Sequence, residues 1–438
     1  VAGHGQRRNR EVVGTICRLL DELRPAAAPH AQLITRVSGR PGHGHRYAID
    51  PARTSSELGW QPRHSFEQGL AATVAWYLDH LGCYDALRAC RLQRRPPGPA
   101  PMTQPSVAIA VCTHGPDLAL LAKLAAALDR ILECSAVAEV LVVDNNSPQP
   151  VAASSPLRWL QARHPQVRCV LETRPGIAQA RCRAIRETTA DLLIGFDDDN
   201  EPAADYVALV TDYATRHPEV GVWGPGRIEV IFSQEPDPWI QRHRACFQER
   251  QLPFSISSVP PPLGGPWVTG TGFAVRRQVL EAYRLAVERG ELTARSRTGA
   301  SLQSGEDPQI VWQALRLGLA QGFIPDLRCG HLIPPARANL AYIRRLEFGA
   351  ASSYVPALAE CFPSVAASLP SARPLGLHLL AALLAQPLVR LARGRERALE
   401  FRMARARALG HDMGLLAVRR PAGVGSYRRL ARWSGAYP

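Results

Sequence analysis

Lysine is all but missing from this chain. One residue of 438, Lys123, is a lysine, so the 52 basic residues are otherwise arginine. A lysine-bearing phosphate loop of the NTPase type is thereby excluded. Aromatic residues make up only 6% and are not interleaved with the basic ones. The net charge of +14 therefore does not mark a nucleic-acid-binding face, and no nucleic-acid partner is expected. Arg, Ala and Pro in excess over Lys reflect the coding bias of a GC-rich genome, and the positive field suits anionic ligands and an anionic membrane face. Ten cysteines are scattered without a Cys-x-x-Cys pair or a Cys/His metal spacing. That excludes a disulfide framework and makes a reducing cytoplasm the expected setting. Cys112 and Cys169 fall in apolar runs, where a thiol packs as a small hydrophobe. No signal peptide is visible, and no apolar run reaches the ~20 residues of a membrane span. The nearest is 375–389, LGLHLLAALLAQPLV, interrupted by His378, Gln386 and Pro387 and followed by Arg390, Arg393, Arg395 and Arg397. It reads either as a helix lying peripherally in an acidic bilayer interface or as a buried helix.

What the chain does have is LLIGFDDDN at 192–200, an apolar run ending in Asp197, Asp198 and Asp199. Adjacent carboxylates raise one another's pKa, and a hard divalent cation relieves that repulsion. A solvated acidic turn is the plain alternative. Upstream, Val107–Cys112 reads as a buried strand closed by Thr113-His114-Gly115-Pro116, residues 118–132 as an Ala/Leu-rich helix, and 139–143 as a strand ending at Asp144. A weaker strand at 168–171 and a helix after Pro175-Gly176 lead into the LLIGF strand. Strands alternating with helices predict a parallel sheet, with ligands beyond the carboxyl ends of its strands. Thr113, Asp144 and the aspartate run all fall there. Trp267–Val275 predicts a strand whose glycines admit a close approach or mark a bulge, and the Pro-rich 253–266 predicts a loop over the site.

VAVCTHGP, VVDNNS, ETRPGIAQARCRAI, FDDDNEP, WVTGTGFAVRR and GEDPQIVWQALRLG occur in the order and spacing of family 2 glycosyltransferases, which the chain resembles over 106–350. The resemblance implies an α/β fold of the GT-A type, Rossmann-like, with a mostly parallel sheet flanked by helices. It also implies a nucleotide-sugar donor, a saccharide or lipid-linked acceptor, inversion, and a divalent metal, Mn²⁺ or Mg²⁺. Carried over by position, Thr113, Asp144, Arg181, Asp197 and Asp198 would bind the donor. Asp199, with Asp197 and His331, would hold the metal. Glu306 and Asp307 match the acidic pair whose aspartate is the catalytic base. A base on a rigid helix N-terminus is chemically apt, because inversion needs a carboxylate within reach of the acceptor hydroxyl. The plainer roles are an N-cap for Asp307, a surface arginine for Arg181 and a structural histidine for His331. Where processive relatives carry Gln-x-x-Arg-Trp, this chain has IVWQALRLG, which predicts addition of one sugar or a few.

Residues 1–82 have a different character. RPGH, RYAID, ELGW and the FEQGL helix resemble the C-terminal end of dTDP-glucose 4,6-dehydratase, an extended short-chain dehydrogenase/reductase. Arg40 is the nucleotide-contact position of that lobe, and Gly44 replaces the usual Asp beside it. With Ala119 four residues before Lys123, no Tyr-x-x-x-Lys dyad exists, and no Gly-rich NAD turn precedes a helix; NAD is not expected. The segment therefore reads as the remnant of a fusion or of an incomplete frame, and dTDP-rhamnose is the donor suggested by association. The expected organisation is a small α+β dehydratase tail over 1–93, a Pro-rich linker at 94–103, the GT-A domain over 104–350 and a helical, membrane-associating region over 351–438.

Overall fold

The structure, a computed structural model, describes residues 9–25, 29–35, 56, 64–79, 104–259, 266–293, 297, 302–368 and 375–419, the last as backbone alone over 375–395. Arg40, Gly44, the linker at 94–103 and the basic tail at 420–438 lie outside the described residues. The chain divides into two compact units, Val1–Pro96 and Pro97–Pro438.

In the first unit, helix Asn9–Leu23 is amphipathic and packs against helix Phe66–Asp79, burying Cys17 and Val74. A short 3-10 turn, His30–Leu33, is tied back to the first helix by the backbone N–H of His30, which donates to Asp21 Oδ1 at 2.9 Å.

The second unit is built on one mixed sheet. Its strands are β1 (Val107–Thr113), β2 (Glu139–Asp144), β3 (Val167–Leu171), β4 (Leu192–Asp197), β5 (Asn200–Pro202), β6 (Val220–Phe232), β7 (Arg250–Gln251), β8 (Ser255–Ser257), β9 (Ala274–Arg276) and β10 (Ala320–Ile333). The order is β3-β2-β1-β4-β9-β6-β10-β5, with β7 on β6 and β8 on β10. β1 to β4 run parallel, as do β6 and β10, and β9 is the antiparallel insert between the two groups. This is the mostly parallel, helix-flanked sheet expected from the sequence, with a helical C-terminal region formed by Leu340–Cys361, Pro363–Ser368 and Leu375–Arg419.

The alternation within β1 explains how both faces are covered. Val107, Ile109 and Val111 enter one core with helices Leu118–Cys134, Ser155–Arg163 and Tyr206–Arg216. Ala108 and Ala110 face the other, where Ala180 and Ala184 of helix Ile177–Glu187 pack, together with helices Arg277–Glu288 and Glu306–Arg316. Small residues on both sides let that helix lie close to the sheet.

Two sequence expectations change. Of the 267–275 segment only Ala274 and Val275 are strand, the start of β9, which ends at Arg276. Gly272 turns there with φ +68°, and its carbonyl accepts the buried Tyr206 hydroxyl, so the segment leaves the ladder. The Pro-rich 253–266 loop contains strand β8, whose Ser255–Ser257 pairs with Gln321–Phe323; residues 260–265 lie outside the described residues.

Candidate functional site

Register places the polar clusters together. Thr113 stands opposite Asp144 and Cys112 opposite Asp197, at the carboxyl ends of β1, β2 and β4. The aspartate run then turns from β4 into β5. Because β5 pairs with β10, His331 stands opposite Asn200, and the Leu332 N–H donates to the Asp199 carbonyl at 2.8 Å. A cavity of about 610 Å³ opens at this edge. Thr113, Asp197, Asp198, Asp199, Asp307 and His331 all line it.

The three aspartates are not equivalent. Burial and the charge of Asp199 push Asp197 and Asp198 each up to about 6, although the Thr113 hydroxyl donates to Asp198 Oδ2. Burial also opposes charge on Asp199. Even so, the hydrogen bonding and charge of His331 and Arg337 hold its carboxyl well below the usual range. Arg337 donates to Asp199 Oδ2, His331 Nε2 lies 3.6 Å from the same oxygen, and Asn200 Nδ2 donates to Oδ1 at 3.0 Å. His331 Nδ1 faces the Phe247 carbonyl at 2.8 Å, which fixes that nitrogen as the protonated one. Burial works against a charge on His331, but its partnership with Asp199 raises its pKa. Arg337 was not singled out from the sequence; its signal is its position six residues after His331, in the turn leaving β10.

Asp144 is placed differently from expectation. Its two oxygens accept the backbone N–H groups of Ser147 and Val151, each at 2.9 Å, and it is not among the cavity's lining residues. The carboxylate caps the loop after β2, and the neighbouring Asn145 lines the cavity instead. Asn145 locks three segments together: Nδ2 donates to the Arg174 carbonyl at 2.7 Å, Oδ1 accepts the Gly176 N–H at 2.8 Å, and its own carbonyl faces His114 Nδ1 at 2.8 Å.

The acidic pair opens helix Glu306–Arg316, but the N-cap is Gly305, so Asp307 is not spent on capping. Asp307 Oδ1 and Glu306 Oε1 both accept from Arg181 Nη1, the second at 3.4 Å. Burial opposes the Arg181 charge, yet the two carboxylates raise its pKa further above its ordinary value. Burial and the charge of Asp307 push Glu306 up to about 8. Arg181 is therefore no surface arginine, and it does not line the cavity. Across the opening, Trp267 stacks on Tyr354 of helix Leu340–Cys361 with ring centroids 5.5 Å apart, and both rings line the cavity.

Two carboxylates and an imidazole, Asp197, Asp199 and His331, fit a hard divalent cation in kind. Among the described residues, however, no three acidic, histidine or cysteine side chains are gathered as a ready cage, and Arg337 now holds Asp199 Oδ2. Cys112 and Cys169 behave as packed thiols: burial pushes them up to about 12 and about 11. No helix among the described residues is long and apolar enough to cross a membrane.

Comparison with known proteins adds identity to this geometry. The N-terminal side of the chain is similar to dTDP-glucose 4,6-dehydratase of Salmonella typhimurium, 51% identical over 78 residues, which are 18% of this chain and 22% of that protein. The chain thus spans less than a quarter of that relative's length. Among solved structures it is similar to a mannosyltransferase from Pyrobaculum calidifontis in complex with GDP-Man and Mn²⁺ (TM-score 0.41, 22% identity, 83% of this chain and 97% of that one). It is also similar to GalNAc-T7 with UDP, GalNAc and Mn²⁺ (TM-score 0.40, 14% identity, 76% and 56%). Residues 108–284 match the family model described as Glycosyl transferase family 2. Residues 108–284, under half of this chain, thus match a family 2 glycosyl transferase domain, and the N-terminal side carries a piece similar to dTDP-glucose 4,6-dehydratase.

Proposed function

We propose that residues 104–350 form a metal-dependent, inverting glycosyltransferase. It moves one sugar from a nucleotide diphosphate sugar to a hydroxyl of a saccharide or lipid-linked acceptor, in the synthesis of a cell-surface polysaccharide or glycoconjugate. One observation carries the reading: an aspartate run, a histidine and a helix-borne Asp307 converge from separate elements on a single cavity at the carboxyl ends of a parallel sheet. In the reaction, Asp307 takes the proton of the acceptor hydroxyl as its oxygen bonds to the anomeric carbon. The bond from that carbon to the diphosphate breaks with its electron pair, and the nucleoside diphosphate departs. Asp199, with Asp197 and His331, would hold a divalent cation, whose chemistry when bound is Lewis-acid stabilisation of the leaving diphosphate. Thr113 and Asn145 line the donor side, and the Trp267–Tyr354 stack offers an apolar face to a sugar ring.

The dehydratase-like piece favours a dTDP-linked donor, and peripheral membrane contact through the arginine-rich C-terminal helix suits a lipid-linked acceptor. The piece itself reads as part of a nucleotide-sugar enzyme, because it matches less than a quarter of the dehydratase it resembles. The test is calorimetric titration of the full chain with dTDP, UDP and GDP, with and without Mn²⁺. One nucleotide should bind more tightly with metal, and Asp199→Asn should remove that dependence. Asp307→Asn should retain nucleotide affinity while transfer slows by about 10² to 10⁴. Absence of binding under every condition removes the catalytic reading. An Asp199→Asn variant indistinguishable from wild type in every assay would leave a non-catalytic nucleotide-sugar or membrane-binding module in its place.

A further inference from the structure

Arg181 occupies a place that a donor contact would not. The cavity is lined by Asp307 and by Ala180, the residue before Arg181, but not by Arg181 itself. Its guanidinium lies buried behind the acidic pair, with Cζ 5.2 Å from the centroid of the Phe273 ring, and reaches Asp307 Oδ1 and Glu306 Oε1. Gly270 completes the enclosure. A Cβ at that position would stand 2.5 Å from both Arg181 Nη2 and Asp307 Oδ1, so any side chain there would drive the pair apart. The glycine in Thr269-Gly270-Thr271 thus has a local cause that involves no sugar. Glu306 Oε2 is buried and without a hydrogen-bond partner among the described residues; Arg181 is the cation in ion-pair contact with both carboxylates, while Arg297 acts on Glu306 through its charge.

We propose that Arg181 is a positioning residue for Asp307: it fixes Oδ1 of the carboxylate from behind, leaves Oδ2 for the acceptor hydroxyl, and depends on Gly270 for the room to do so. The inference rests on Asp307 being the base. It assigns to Arg181 an effect on turnover and none on donor affinity, the reverse of what the sequence resemblance implies for this arginine. A carboxylate freed from such a clamp samples poses displaced by about an ångström, a displacement that costs on the order of 100-fold in rate.

The experiment uses the full chain and whichever of dTDP, UDP and GDP the wild type binds, comparing wild type with Arg181→Met, Arg181→Lys and Asp307→Asn. Arg181→Met should lower kcat about 100-fold and leave the nucleotide Kd within about twofold, with Arg181→Lys recovering part of the loss. Added to Asp307→Asn, Arg181→Met should slow transfer no further, because a clamp has no effect once its carboxylate is gone. Arg181→Met leaves the buried Glu306 carboxylate facing that of the half-buried Asp307; if it unfolds, Arg181→Met with Glu306→Gln is read in its place, with the same expectation. A wild-type kcat combined with a Kd weakened tenfold or more makes Arg181 a donor contact and overturns the proposal. Multiplicative losses in the double variant overturn it as well. A wild-type chain that neither binds nor transfers overturns the transferase reading and this proposal together, which separates the two failures.

Discussion

Within one triplet, neighbours of the same chemistry end in opposite states. Asp197 and Asp198 are pushed up by burial and by Asp199, while Asp199 is held down because His331 and Arg337 are brought to it by β10 and the turn that follows. Glu306, buried beside the half-buried Asp307, makes a prediction about stability. Glu306 has a folded pKa raised to about 8 from an ordinary value of 4.5. The native state therefore keeps its proton to higher pH than the unfolded chain. The stability this contributes is fully present below the unfolded value and is lost as pH rises through about 8. Asp197 and Asp198 act with the same sign but are complete near 6, and His331, raised above its ordinary value, titrates alike in wild type and Glu306→Gln, so the difference between the two over about pH 6.5 to 8.5 reads Glu306. Thermal melts across that window should fall more steeply for wild type than for Glu306→Gln; parallel curves would contradict the assignment.

At the scale of elements, the site depends on turns that release a segment from the sheet at the right point. Gly272 adopts φ +68° against the Tyr206 hydroxyl just before the ladder begins at Ala274, and this turn leaves Gly270 outside the sheet, against Arg181 and Asp307. Gly272→Ala combines positive φ with a clash and should cost about 1–3 kcal/mol, seen as a lowered thermal midpoint. An unchanged midpoint would mean that the turn tolerates a side chain. Packing of the central strands was legible beforehand, because the alternation of large and small residues in Val107–Val111 is a property of the sequence alone. The short strands β5 and β8 were not. Each exists only because β10 passes alongside, and three residues carry too little pattern to announce a strand.

At the scale of the molecule, every described residue lining the cavity lies between Cys112 and Tyr354, inside the unit Pro97–Pro438. Removal of residues 1–96 should leave nucleotide Kd and the metal dependence unchanged. A loss of binding in that truncated chain would show that the N-terminal unit contributes to the donor site. The 52 basic residues are almost wholly arginine, and many are locally paired, as in Arg168 with Glu139 and Glu187 or Arg284 with Glu281 and Glu288; the +14 is the excess beyond all 38 acidic residues. An overall charge that large still favours the approach of an anionic donor.

The sequence by itself determined the alternating strands and helices, the edge at which Thr113 and the aspartate run would gather, and the presence of an acidic pair at a helix start. These are local matters: apolar periodicity, turn residues and a helix pattern are written in consecutive residues. Tertiary structure alone decided what each charge meets. Asp144 went to its own loop, Arg337 went to Asp199, and Arg181 went behind Asp307, 126 positions away along the chain. Those choices belong to sheet register and burial, because in a low-dielectric interior the partner a charge finds outweighs its own residue type.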